Sequence, residues 1–371
     1  MRTDEDKVKK PGDHVKDLMK ERGWTQAELA YVMGVAGSTV NQIVNSKTPI
    51  TPETAKLLAA AFDRPPEEFA EMQTKWGLIN APDPDNEVRA RAYAQTNYPL
   101  RAMAKRGWIS PVEDGASAHN ELCRFFGVNS LDNIAGLRHA ARKTTEGELT
   151  GEQLVWLYRV RQIAGEMMTP RYDAAKLQEA IEAFRGMRAD PSNVRLVPRL
   201  LEQAGVRFVV VEALPNSKID GVCLWLDNAS PVIGLSLRFD RIDNFWFVLR
   251  HECAHVLHGH GKDAAIVDYD MEGDPEKAVS EEERIADTEA ADFCVAEDKI
   301  TSFYLRKRPF FAEREVLAFA TRNDVHPGLV VGQLQRRMGR YDFLRKHLVK
   351  IRDHLGGAMM MDGWGDIIPV N

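Results

Sequence analysis

Apolar positions along the chain recur at two different periods. Up to about Asn80 they fall in short runs with helical spacing, each closed by a glycine, proline or capping residue. Ala81-Pro82 and Asp83-Pro84 read as a linker into a helix-rich middle stretch, broken at Pro99, at Ser110-Pro111 and near Thr169-Pro170. From about Arg195 the period shortens. The segments 207–212, 221–226 and 231–236 are short and β-branched or apolar, which predicts strands. Helical spacing returns over 245–257 and 280–293, and the glycine- and methionine-rich tail after Leu355 predicts poor order. The expectation is an all-α first half and an α+β second half, without internal repeats.

Length and charge narrow this picture. A chain of 371 residues can bury two or three separate cores. A formal net charge of -6 gives no bulk attraction to nucleic acid, so any DNA binding must come from a local motif. No apolar run is long enough to span a membrane, and the N-terminal residues lack the apolar stretch of a secretion signal. The cysteines (Cys123, Cys223, Cys253 and Cys294) are scattered and form no CxxC pair, which suits a reducing cytoplasm.

Thr25-Gln-Ala-Glu28 is a capping box before an amphipathic run, with Leu29, Ala30, Val32 and Met33 as the expected buried face. Gly34 ends that helix, and a second begins near Gly37 with Val40, Ile43 and Val44 inward. Its outward set is Gly37, Ser38, Thr39, Asn41 and Gln42. In a helix-turn-helix that face enters the major groove, where Asn and Gln pair bidentately with adenine. Gln26 and Lys47 are placed for the flanking phosphates. The plain alternative is a small helical bundle with a polar exterior.

The second candidate is His251-Glu252-Cys253-Ala254-His255. Residues four apart share a helix face, so two imidazoles can meet one ion. Glu252 is offset to reach a water activated by that ion and accept its proton. A catalytic site needs a third protein ligand, and Glu283 is the first candidate, with Asp287 one turn on to orient a histidine. Glu289 and Asp287 are alternatives for the ligand, and Asp292 is also near. His258 is read as a local hydrogen-bonding group, His260 as further round, and Cys253 as a packed thiol. Tyr269 and His326 are candidates for stabilising an oxyanion, and one of the strands before the helix is a candidate for pairing with an extended peptide.

Two resemblances add to these readings. Residues 11–76, with Gly23-Trp24-Thr25-Gln26 and Thr48-Pro49-Ile50-Thr51-Pro52-Glu53, resemble HigA-type antitoxins of the phage-repressor-like (Xre) helix-turn-helix class. Residues 195–345 resemble the ImmA/IrrE family of metallopeptidases, through the HExxH, Glu283-xx-Ala286-Asp287 with Ala290-Ala291-Asp292-Phe293, and the stretch from Val325 to Leu334. Glu289 and Ala296 depart from that pattern, standing where many relatives carry an aromatic residue and a proline. The resemblance implies one zinc ion per chain on His251, His255 and Glu283, with Glu252 as general base. It also implies a protein substrate such as a DNA-bound repressor.

The expected fold class is multi-domain: an all-α helix-turn-helix domain over 1–80, a helical middle region of unread role over 81–193, an α+β zincin-like metallopeptidase domain over 194–353, and a flexible tail over 354–371. The expected protein is a cytoplasmic transcription regulator. It binds a double-stranded operator as a homodimer and cleaves a repressor, an antitoxin or itself, with single-stranded DNA a candidate activator. The alternative is a non-proteolytic repressor or antitoxin whose metallopeptidase-like domain is a metal-binding sensor. A purely structural zinc site is a third reading, disfavoured by the intact Glu252.

Overall fold

Thr25 starts the second helix as the capping box requires: its hydroxyl accepts from Glu28 N at 3.3 Å while Glu28 Oε2 accepts from Thr25 N at 2.7 Å. The computed structural model describes residues 9–84, 86–112, 115–130, 141–143, 149–262, 265–269, 280–355, 359–366 and 368. They fall into two units, Met1–Asp85 and Asn86–Asn371.

The first unit consists of α1 (Pro11–Arg22), α2 (Gln26–Met33), α3 (Gly37–Val44), α4 (Pro52–Phe62) and α5 (Pro66–Asn80). Val15, Leu29, Val40, Val44, Leu58 and Phe69 form its core. Gly34, at φ 67°, ends α2 in the left-handed conformation. Val32 is 47% exposed beside a Tyr31 that is 88% exposed, which corrects its expected burial. With Leu29, Ala30 and Met33 facing the core, the helical period turns position 32 outward.

The second unit begins with α6 (Asn86–Asn97), α7 (Leu100–Lys105) and α8 (Gly115–Phe126), then β1 (Ala141–Lys143) and α9 (Gly151–Glu166). After α10 (Ala174–Arg185) and α11 (Val197–Gln203) come β2 (Arg207–Val211), β3 (Ile219–Trp225) and β4 (Pro231–Leu235). The central helix α12 (Ile242–His258) leads to β5 (Ala265–Tyr269). Helices α13 (Glu281–Cys294), α14 (Glu297–Lys307), α15 (Glu313–Arg322) and α16 (Pro327–Met338) precede β6 (Met360–Asp362).

The strands make one mixed sheet in the order β1-β5-β3-β4-β2-β6, with β3 antiparallel to both neighbours and the remaining pairs parallel. Alternation along β2 explains its two covers. Phe208 and Val210 face a core shared with Phe245, Val248 and Leu249 of α12. Val209 and Val211 face one shared with Val155, Trp156 and Val160 of α9. The middle stretch is therefore no separate body: α9 supplies the layer that the far face of the sheet needs.

Part of the expected flexible tail, among the described residues, is held in the sheet. Met360–Asp362 pairs in parallel with β2, and Trp364 N donates to Glu212 Oε2 at 2.7 Å. Asp362, 1% exposed, accepts from Trp108 Nε1 at 3.0 Å and Arg159 Nε at 2.8 Å. A buried cation that needs a buried anion pins the tail, which composition could not reveal. The whole is multi-domain and mostly helical, with one small mixed sheet. Among the described residues no helix is long and apolar enough to cross a membrane.

Candidate functional site

Helix α12 is buried on nearly every side, lying between the sheet and α13. His251 and His255, one turn apart, bring their Nε2 atoms to 2.9 Å. Ser280 caps α13 by accepting from Glu283 N at 3.3 Å, which sets Glu283 in the first turn facing both rings. Its Oε2 is 3.2 Å from His251 Nε2 and its Oε1 3.4 Å from His255 Nε2.

The outer ring nitrogens are also engaged. Asp287 Oδ1 lies 3.1 Å from His251 Nδ1. His255 Nδ1 meets His260 Nδ1 at 3.0 Å. A neutral imidazole that presents a lone pair at Nε2 carries its proton on Nδ1, the nitrogen that faces Asp287 at His251 and His260 at His255. His260 returns to the helix because Gly259 and Gly261 adopt φ of 73° and 79°, and Trp225 Nε1 anchors its carbonyl at 2.8 Å. A Cβ on Gly261 would stand 2.8 Å from Cys223 O, so the turn requires a glycine there. His260, expected further round, is marked in the sequence by its flanking glycines, Gly259 and Gly261.

The structure adds an unforeseen residue. Asp268 of β5 places Oδ2 3.3 Å from His251 Nε2, and atoms of His251, His255, Asp268 and Glu283 all lie within 4.8 Å of one another. Glu252 lies beside this group against β3, where a Cβ on Gly221 would fall 2.1 Å from its Oε1. It is fully buried, and neither oxygen has a hydrogen-bond donor among the described residues. Burial and the Asp268 charge push its carboxyl well above the usual range. For His251 burial favours the neutral ring, but Asp268, Asp287 and Glu283 outweigh it and raise the ring well above its ordinary value. Burial lifts the Cys253 thiol to about 12, an inert packed group.

This donor set fits a divalent cation of zinc type. Ligands about 2.0–2.1 Å from a tetrahedral ion stand about 3.3 Å apart; His251 Nε2 lies 2.9–3.3 Å from the other three donors, and Glu283 lies 3.4 Å from His255. Buried carboxylates beside two imidazoles carry negative charge that a bound cation would offset.

Other candidates go elsewhere. Glu289 accepts from Arg250 Nη2 at 2.6 Å and meets His258 Nε2 at 3.0 Å, because six residues from Glu283 it faces another side of α13. Asp292 accepts from Glu297 N at 3.0 Å. His326 caps α16, its Nδ1 accepting from Gly328 N at 3.0 Å, and is not part of the cluster of His251, His255, Asp268 and Glu283. The side chain of Tyr269 lies outside the described residues. None of the three expected strands has a free edge: β2, β3 and β4 each have a neighbour on both sides. The expectation that one of them pairs with an extended peptide is thereby corrected, since hydrogen bonding within the sheet already uses both edges.

In the first unit, Gly37, Ser38, Thr39, Asn41, Gln42 and Lys47 are exposed while Val40, Ile43 and Val44 are buried. Asn41 Nδ2 donates to Gln26 Oε1 at 3.1 Å, and Thr48 Oγ1 donates to Gln42 Oε1 at 3.0 Å. These contacts tie the polar side chains of Asn41 and Gln42 to Gln26 and Thr48.

This first unit is a helix-turn-helix domain of the Xre type: residues 15–69 match the helix-turn-helix family model. The chain is 23% identical over 209 residues to the HTH-type transcriptional regulator PrpR of Mycobacterium tuberculosis, a match covering 56% of this chain and 40% of that protein. It is 29% identical over 72 residues to YddM of Escherichia coli, described as an uncharacterized HTH-type transcriptional regulator, covering 19% of this chain and 77% of that one. The chain thus spans less than half of the first relative's length.

Proposed function

We propose that this protein is a DNA-binding transcriptional regulator whose second unit is a zinc-dependent endopeptidase acting on a repressor, an antitoxin or its own chain. The observation that carries the second half is the convergence of His251, His255 and Glu283 with a buried Glu252 that has no hydrogen-bond donor among the described residues. A bound zinc ion would polarise a water and the scissile carbonyl. Glu252 takes the proton of that water at its carboxylate and passes it to the leaving amine, the double duty of a general base and acid. Asp287 and His260 face the outer nitrogens of His251 and His255, where a ring that presents Nε2 carries its proton.

The first half rests on the helix-turn-helix domain and on two relatives described as transcriptional regulators. The α3 face enters the major groove of a double-stranded operator, and a homodimer on a two-fold site supplies affinity that one weakly charged domain lacks.

One reading competes: a regulator that holds metal as a sensor without turnover. The burial of His251, Glu252, His255 and Glu283, 0–3% exposed, favours it, because a peptide needs a path to the centre. The two readings separate when zinc stoichiometry and cleavage of candidate repressors are measured with and without single-stranded DNA. Under the peptidase reading Glu252→Gln keeps one zinc and loses cleavage, whereas Glu283→Ala loses both. Bound zinc with no cleavage under any condition establishes the sensor, and absence of zinc removes both.

A further inference from the structure

Asp268 Oδ2 stands 3.3 Å from His251 Nε2, grouped with His255 and Glu283. We propose that Asp268 is a fourth protein ligand, so that in this conformation the centre is closed and turnover requires β5 to withdraw its carboxylate. This inference rests on the reading of His251, His255 and Glu283 as a metal centre.

Strand register puts Asp268 there. It pairs directly with Gly221 on β3, past the irregularity between Ile219 and Gly221, so both positions share the sheet face under α12. Gly221 leaves the space that the Glu252 carboxylate enters, and Asp268 reaches His251 alongside it.

Two roles are open to a carboxylate beside a metal-binding histidine, and the nitrogen it faces separates them. An orienting carboxylate takes the outer nitrogen, as Asp287 does at His251 Nδ1, 3.1 Å away. Asp268 faces Nε2 at 3.3 Å, the nitrogen that also faces His255 and Glu283. A group on the inner side shares the ion. Asp268 is also fully buried in an otherwise apolar strand, Ala-Ile-Val-Asp-Tyr, where aspartate is disfavoured unless something recruits it.

Charge points the same way. Glu283 and Asp268 together carry the charge that matches a divalent ion held by two neutral imidazoles. Three protein ligands leave a position for water; four close the site.

The test uses the full chain loaded with Co2+ in place of zinc. Visible ligand-field bands report the coordination sphere, and azide probes for an exchangeable position. Wild type is expected to bind one ion with bands that azide leaves unchanged. Asp268→Ala and the near-isosteric Asp268→Asn should still bind one ion, at least about tenfold more weakly in chelator competition, and should become azide-responsive. Wild-type bands that shift with azide overturn the proposal without any variant. Unchanged affinity and spectrum in a folded Asp268→Asn protein do so as well. If folded wild type binds neither Co2+ nor zinc, the metal-centre reading itself falls and takes this one with it.

Discussion

Gly221 shows how much one absent side chain can decide. Its missing Cβ is the space in which Glu252 Oε1 sits, and a methyl group there would also stand 2.8 Å from Val248 Cγ1. Gly221→Ala should leave zinc stoichiometry at the wild-type value, because the ligand side chains are untouched, yet lower peptide cleavage at least about tenfold by moving the base. Parallel metal analysis and cleavage assays check this; loss of metal would place Gly221 in the binding framework instead. In the first unit the equivalent residues are Asn41 and Lys47. Asn41→Ala should weaken binding to an operator selected from random DNA by about 1–3 kcal/mol. Lys47→Ala should weaken binding to all sequences alike and reduce the salt slope by about 1. A titration series across salt concentrations separates the two.

Elements differ in how plainly sequence announces them. Helix α12 was legible because its chemistry is periodic: positions 251 and 255 share a face in any regular helix. The Thr25 capping box and the Gly34 stop were legible for the same reason, as each is a rule about residues three or four apart. Strands β5 and β6 were not. Their residues acquire meaning only from partners far along the chain: Asp268 from Gly221 and His251, Asp362 from Trp108 and Arg159. The Arg159–Asp362 pair tests that difference, since both groups are 1% exposed. Asp362→Ala should destabilise the second unit by about 3–5 kcal/mol, because it strands a buried guanidinium, and denaturant unfolding measures the loss. A loss below about 1 kcal/mol would mean that the tail contributes little and Arg159 finds another partner.

At the scale of the molecule, the division at Asp85 separates a helix-turn-helix body from one that contains both the middle helices and the candidate metal centre. The two have separate cores. Heating should give two calorimetric transitions, and a chelator should lower only the one assigned to the second unit by its presence in the isolated fragment 86–371. A single transition, or a chelator effect on fragment 1–85, would contradict that assignment.

What sequence alone determined was local in origin: the helix-turn-helix, the shared face of His251 and His255, the position of Glu252, and the three strands between 207 and 236. Backbone periodicity and capping are enforced within a few residues, so they survive without knowledge of the fold. Tertiary structure decided the rest. Among Glu283, Asp287 and Glu289 it was the packing of α13 on α12 that brought Glu283 to both inner nitrogens. Sheet register brought Asp268 to the same point, and a glycine turn brought His260 back to His255. Those meetings depend on which strand lies beside which and how far each is slid, choices made by the whole hydrophobic core rather than by neighbours in sequence.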